Sequence, residues 1–364
     1  MSRPRLPLFR FGGLFIVPVL FFQPLSASAN MEAAARNFQQ NCAVCHGASG
    51  HPDPDSALVK SLGVMPADFA DPLFNSREPA DDWFLVIKNG GPALGFSEVM
   101  PAFGEQFSDD EIRDLVEYIK SDMVGDHGYP PGELNLFLPL RTKKAFPEDE
   151  VVWKVRYTDD DGYDEWKNTI EFEKRFGKRF QAVLEMSHRF DDGDEKFSNL
   201  EPGGKYVLYF NRKRGLIATL GGNIGIPLEP GDHSVEILPY LAVGKVLSDD
   251  FTFQGSARAK LPWDEVDQGS LEFSGIVHWT HTPWPRSVFP GLEMTVEVPL
   301  DRGPGVDVAR FSLTPQTRIG LSKRGHVAVN LGVEVPLNDT DRYDYRGYMF
   351  LIWDFADGAF WAGW

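Results

Sequence analysis

Two thiols three positions apart, with an imidazole directly after the second, stand at Cys42-Ala43-Val44-Cys45-His46. No other stretch of the chain is better suited to chemistry. One turn of chain spans the distance between the two vinyl groups of a porphyrin, and each thiol can add across one of them. His46 then points a ring nitrogen at the iron. The spacing is that of c-type attachment, and it predicts one covalently held haem c on Cys42 and Cys45. A reactive dithiol or a zinc site draws on the same residue types. These are the only two cysteines, however, so a four-cysteine zinc site is excluded.

The sixth position on the iron needs another donor. Val99-Met100-Pro101-Ala102-Phe103-Gly104 offers a thioether, a soft ligand suited to low-spin iron, and a His/Met pair raises the reduction potential. Pro101 stiffens the loop that must present the sulfur. Met65-Pro66-Ala67 repeats the tripeptide closer to His46 but lacks a following helix, so a core or surface role is expected for Met65. His51 and His127 are the remaining alternatives.

The elements that must position these residues are short helices. Met31 to Gln40 is rich in Ala, Glu and Gln and leads into the haem motif, and the stretch after His46 reads as loop. Ala80 to Lys88 carries Trp83, Phe84, Val86 and Ile87 and ends at Asn89-Gly90-Gly91, a C-cap sequence. Ser108 followed three residues later by Glu111 is a capping box, and Ile112, Leu115, Val116 and Ile119 then repeat at helical spacing. With the Cys-Cys-His motif and the Met-Pro loop ahead of a last helix, residues 31–125 resemble the small class I cytochromes c. The resemblance implies His46 as proximal ligand and Met100 as distal ligand. Iron held on both sides has no open position, which leaves one-electron transfer.

At 364 residues the chain is long enough for two domains. Its net charge of −17 argues against a nucleic-acid partner, because phosphate binding needs a positive surface. Arg3, Arg5 and Arg10, the apolar run Phe11 to Leu25 and Ala27-Ser28-Ala29 compose a secretory signal over 1–29. The run is shorter than the ~20 apolar residues a spanning helix needs. Export is also the setting in which haem joins cysteine pairs.

After a cytochrome domain at 30–125, residues 126–148 show neither helical nor strand period and read as a linker. From Val151 the period is two, and it stays so to the end of a second domain at 149–364. In Phe251 to Trp263, Thr252, Gln254, Ser256, Arg258 and Lys260 face one way and the apolar set the other. Twelve such segments are expected, near 151–158, 165–174, 178–190, 205–212, 216–228, 233–246, 250–263, 269–281, 288–300, 307–321, 325–337 and 343–355. Strand-ending prolines recur at Pro227, Pro262, Pro299 and Pro336, one per hairpin. The fold class expected is therefore an all-α class I cytochrome c domain followed by an all-β antiparallel barrel of about 12 strands.

A soluble sandwich or lipocalin-like barrel and a transmembrane barrel both fit the alternation. The second predicts strands of about ten residues, an even strand number and a polar lumen. Turns at Phe176-Gly177-Lys178, Arg214-Gly215 and Lys323-Arg324-Gly325 are short and basic. The opposite connections, such as Asp159 to Asp164 and Asp191 to Gly204, look longer and acidic, with Ser248-Asp249-Asp250 the exception. The segments Arg324-Gly325-His326-Val327-Ala328-Val329-Asn330 and Val335-Pro336-Leu337-Asn338-Asp339-Thr340 resemble outer-membrane barrels of the transporter or porin type. Tyr343 to Trp364 looks like their aromatic terminal segment.

His278 and His281 lie on opposite faces of one strand, a poor metal pair. Asp191, Asp192, Asp194 and Glu195 read as a solvated loop. The layout is similar to the fused monohaem cytochrome–porin proteins that oxidise extracellular iron, although twelve strands make a narrower barrel. It implies periplasmic electron carriers, outer-membrane lipid and a small extracellular or lumenal redox substrate as partners, with a metal oxidoreductase role left open. A porin or small-molecule transporter with a cytochrome as docking or redox-sensing module is the other expectation.

Overall fold

The computed structural model describes residues 30–124, 134, 136–160, 163–191, 194–229, 234–301, 309–338 and 343–355. The expected export signal, His127 and the aromatic end beyond Phe355 lie outside them. The first domain is helical: α1 (Met31–Asn41), α2 (Ala43–His46), α3 (Ala57–Leu62), α4 (Pro72–Asn75), α5 (Ala80–Asn89) and α6 (Asp109–Tyr118). The region after His46 that reads as loop contains α3 and α4, each started by an acceptor side chain, Ser56 and Asp71 respectively. One apolar cluster holds the domain together, with Phe38 from α1, Trp83, Phe84, Leu85 and Ile87 from α5, and Ile112, Leu115 and Val116 from α6.

The capping box forms as expected. Ser108 Oγ accepts from the Glu111 amide at 3.3 Å, and the Ser108 amide donates to Glu111 Oε2 at 2.9 Å. A Ser108→Ala substitution should therefore cost about 1 kcal/mol. Urea unfolding of the variant and its parent, followed at the haem absorbance, checks this.

The second domain is a closed barrel of twelve antiparallel strands in which neighbours in sequence are neighbours in space and β1 pairs with β12. The strands are β1 (Glu150–Asp160), β2 (Tyr163–Phe176), β3 (Phe180–Asp191), β4 (Asp194–Asn211), β5 (Leu216–Pro227), β6 (Glu236–Ser248), β7 (Phe251–Pro262), β8 (Ser270–Trp279), β9 (Val288–Pro299), β10 (Arg310–Gly320), β11 (Val327–Pro336) and β12 (Tyr345–Asp354). They follow the expected segments closely except at β4. Pro202-Gly203-Gly204 reads as loop, yet these residues pair with Leu184, Val183 and Ala182. Ladders on both sides overrule local turn preference there. A Cβ on Gly203 would come within 2.3 Å of Asn223 Oδ1, so glycine permits the close approach. The β3–β4 connection is consequently short rather than long.

The faces are sorted the opposite way from a water-soluble barrel. Phe172, Leu184, Met186, Leu241, Leu292, Met294 and Val333 are exposed outside, while Glu171, Glu185, Gln254, Glu293, Thr314, Asn330 and Glu334 are buried inside. Every strand has the ten or more residues needed to cross a hydrocarbon layer.

Residues 136–148 of the expected linker, together with Asp149, are no free tether. They run inside the barrel as a re-entrant loop. Leu136 and Phe146 pack on Val207, Ile217, Tyr240 and Ala242, and Leu138 and Leu140 pack on Val152, Tyr348, Phe350 and Ile352. The physical reason lies in those wall residues. They are apolar on a lumen face that is otherwise polar, and only a second apolar surface can cover them. At the loop's apex, Glu293 Oε1 accepts from the Thr142 amide and the Thr142 hydroxyl, both at 2.5 Å, and Arg141 donates to Glu272 at 2.6 Å. Lys143 pairs with Glu185 at 3.3 Å. The loop returns at Asp149, which accepts from Lys174 at 2.6 Å and from the Arg175 amide at 2.9 Å.

The same end of the barrel touches the helical domain. Arg212, in the β4–β5 turn, pairs with Glu117 at 2.6 Å. Arg175 donates to the Ser76 carbonyl at 3.3 Å, and Arg77 stands 3.6 Å from Asp149. In the β10–β11 turn, Arg324 donates to the Gly95 carbonyl at 2.8 Å and lies 4.4 Å over the Phe96 ring. The short basic turns thus face an acid-rich helical domain.

Candidate haem site

Cys42 sits where α1 ends and α2 begins. Its amide donates to the Phe38 carbonyl at 2.8 Å, and its own carbonyl accepts from Cys45 at 3.1 Å and from His46 at 3.0 Å. This single turn places the two thiols on one side, as side chains three apart on a helix must be. Both are free of disulfide bonding. Burial, and secondarily Cys45, push the Cys42 thiol up to about 11, so it stays protonated.

His46 Nδ1 lies 3.0 Å from the Ala67 carbonyl. A carbonyl can only accept, so Nδ1 carries the proton and Nε2 keeps its lone pair for a metal. Burial holds the imidazole pKa below its usual value, against the Ala67 bond, which favours the neutral ring a ligand must be. The ring is stacked on Phe69, centroids 4.4 Å apart and planes 14° from parallel. Gly47 makes the exit possible, because its φ is +77° and a Cβ there would lie 2.0 Å from the His51 carbonyl oxygen.

The Met100 loop is pinned to the end of α5. Gly91 donates to the Met100 carbonyl at 3.0 Å, and Phe103 and Gly104 donate to Ile87 and Lys88, each at 2.9 Å. A Cβ on Gly91 would stand 2.3 Å from the Ser97 carbonyl oxygen and 3.2 Å from Met100 Cβ, so the Gly90-Gly91 pair closes the loop. Met100 packs on the cluster that contains Cys42, whereas Met65 lies outside it and is 59% exposed. His51 pairs with Asp68 at 2.6 Å.

Two residues that matter here carried no signal of their own. Ala67 orients His46 through a backbone oxygen, which no side-chain pattern reveals, and Phe69 backs the ring. The repeated Met65-Pro66-Ala67 tripeptide marked the place for the wrong atom. Two unpaired thiols, an imidazole with one free lone pair and a thioether on the same cluster fit a c-type haem. Among the described residues no group of three or more His, Cys, Asp or Glu side chains could hold a separate metal ion.

Residues 29–119 match the family described as cytochrome c oxidase, cbb3-type, subunit III. Cytochrome c6 of Pyropia yezoensis and that of Porphyra purpurea are each 31% identical over 104 residues, 28% of this chain and 81% of those proteins. The chain belongs to the c-type cytochromes. Its cytochrome domain accordingly binds haem c, and electron transfer is the chemistry such a domain supplies. The remainder is similar in outline to solved barrels. The KdgM porin is 14% identical with a TM-score of 0.41, over 57% of this chain and 99% of that one. The COG4313 outer-membrane channel from Pseudomonas putida F1 is 10% identical with a TM-score of 0.44, over 60% and 99%. The twelve-strand closure itself rests on the ladder of this cytochrome, strand by strand.

Proposed function

We propose that this cytochrome transfers electrons at the bacterial outer membrane. One haem is attached through Cys42 and Cys45 and held between His46 and Met100. The haem supplies a one-electron couple. The chain's residues fix the imidazole tautomer through Ala67, stiffen the sulfur loop through Pro101 and the Gly90-Gly91 turn, and enclose the site in apolar side chains. The barrel crosses the membrane with its apolar side in lipid. Its short-turn end, with the cytochrome domain against it, lies in the periplasm, where soluble carriers exchange electrons with the haem.

One observation carries this reading. The Cys42–Cys45–His46 constellation sits on a domain fastened by Arg212–Glu117, Arg175–Ser76 and Arg324–Gly95 contacts to a barrel that is apolar outside. A lumenal donor such as ferrous iron, which the layout of the fused cytochrome–porins implies, finds the inner lumen filled by residues 136–149. Periplasmic carriers are therefore the favoured partners over an extracellular substrate. The same loop argues against a permanently open porin.

Cell fractionation with haem staining is the test. The stain should follow the full-length chain into the detergent-extracted outer membrane. Release without detergent would overturn the barrel's placement, and a chain without stain would overturn the attachment. A His46→Ala strain that oxidises external ferrous iron like its parent would remove this haem from any iron pathway.

A further inference from the structure

The loop of residues 136–149 has both ends at the same mouth of the barrel. Leu136 lies against Gly244 and Ile217, near the inner ends of β6 and β5, and Asp149 is bonded to the inner end of β2. Arg141 and Thr142 reach furthest outward, to Glu272, Glu293 and Glu334. A hairpin inserted this way can withdraw toward its own mouth without threading the barrel, which a segment crossing from end to end could not do.

The loop is bonded to the wall around the circumference, yet it leaves some of the wall's polar atoms without a partner. Thr219 donates to the Ala145 carbonyl, Lys205 to the Lys144 carbonyl, Asn330 to the Leu138 carbonyl and Gln254 to the Phe137 carbonyl. Inward polar residues on several strands, Asn223 on β5, Asn330 on β11 and five on β7 to β10 among them, receive less than they need from it. Thr252 Oγ1, Gln254 Oε1, both ring nitrogens of His278, Thr295 Oγ1 and Thr314 Oγ1 are buried without a protein partner among the described residues. Polar groups that the loop does not bond suit a wall that meets water when the loop is away. Beside the apex, Arg141, Thr295, Glu297, Arg310, Glu334 and Arg346 line a small polar cleft of about 10 Å³.

We propose that the barrel is a cation-preferring pore kept shut by this loop, which opens it by withdrawing through the inner mouth. Withdrawal takes Arg141, Lys143 and the Lys144–Glu148 pair out of the lumen, so more positive than negative charge leaves. It leaves Glu293 with Gln316 as its remaining partner, and it strips Glu272, Glu334 and Glu185 of one cationic partner each. Glu171, Glu185, Glu272, Glu293 and Glu334 then face Lys154, Arg258 and Arg346 as their paired cations, an excess of carboxylates at mid-height. This activity is independent of the electron-transfer reading, and either can fail without the other.

Full-length holoprotein in planar lipid bilayers under a potassium chloride gradient tests it. The parent should be closed, with rare openings. Gly244→Ala places a methyl group where Leu136 Cδ1 lies only 2.4 Å away and crowds mainly the loop, so open probability should rise at least about tenfold, with potassium favoured over chloride. Adding Glu293→Gln should lower that preference. Thr142→Ala, which removes a loop hydroxyl bonded to Glu293, serves as a second opener if Gly244→Ala does not fold. Variants that keep the parent's haem content and far-ultraviolet spectrum yet stay silent would make the loop a fixed wedge and overturn the proposal. Openings that favour chloride would overturn the selectivity.

Discussion

A Met100→Ala variant is expected to keep its covalent haem and to lose the low-spin spectrum of a six-coordinate iron. On the proposed attachment through Cys42, at the α1–α2 junction, and Cys45, on α2, the thioether bonds do not involve Met100, so haem staining should persist. The loop itself should survive, because it is pinned through backbone groups, Met100 O to Gly91 N and Phe103 N to Ile87 O, rather than through the sulfur. What goes is the thioether. Axial ligands tune haem potentials over about 0.8 V, and loss of the thioether should lower this potential by at least about 0.1 V. A Met65→Ala variant is the control and should change neither property. Absorption spectra and a redox titration check both. If Met65→Ala shifts the potential and Met100→Ala does not, the distal assignment is reversed. His46→Ala should be more severe, with little stable haem, since the ring that Ala67 and Phe69 orient has no neighbouring substitute.

How far the chain could be read before folding differs between its halves. In the helical half, chemistry was local: thiols, imidazole and capping box lie within a few residues of what they act on, and spacing alone located them. The Ala67 carbonyl could not be found that way, because every residue has one and only the fold chooses which faces His46. In the barrel, strict alternation made the strands legible. Extended chain has a period of two, and a wall between lipid-like and polar surroundings must obey it. The break in that rule was the informative part. Tyr348-Met349-Phe350-Leu351-Ile352-Trp353 is apolar on both faces, although an open aqueous lumen asks for polar residues on one. Phe350 and Ile352 are apolar inside because Leu138 and Leu140 cover them. The linker was illegible for the matching reason. A loop that buries itself in a preformed lumen needs no period of its own, and its partners are scattered along the barrel, from Val152 to Glu272 and Tyr348.

Lys120 is where the pH dependence of the cytochrome domain should concentrate. It is 1% exposed, donates to the Asn75 carbonyl at 2.9 Å and to the Glu78 carbonyl at 2.7 Å, and lies 4.0 Å over the Trp83 ring. The turn it clamps is the one that meets the barrel through Ser76 and Arg77. Lys120→Ala should therefore destabilise by about 2–5 kcal/mol, the range for removing a long buried side chain, and should loosen the contact with Arg175. Burial first, and then the positive charge of Arg212, hold the ammonium pKa well below its usual 10.5. A lowered folded pKa means that unfolding takes up a proton whenever the pH lies between the two values, so stability rises with pH across that window. Below the folded pKa the full cost of burying the charge is present. Lys120→Met keeps much of the volume and removes the titration. Urea midpoints of parent and Lys120→Met, compared from neutral pH toward 10.5, should show the parent gaining on the variant. A constant difference would mean that the ammonium is not penalised by its burial, and the clamp would then be a matter of packing alone.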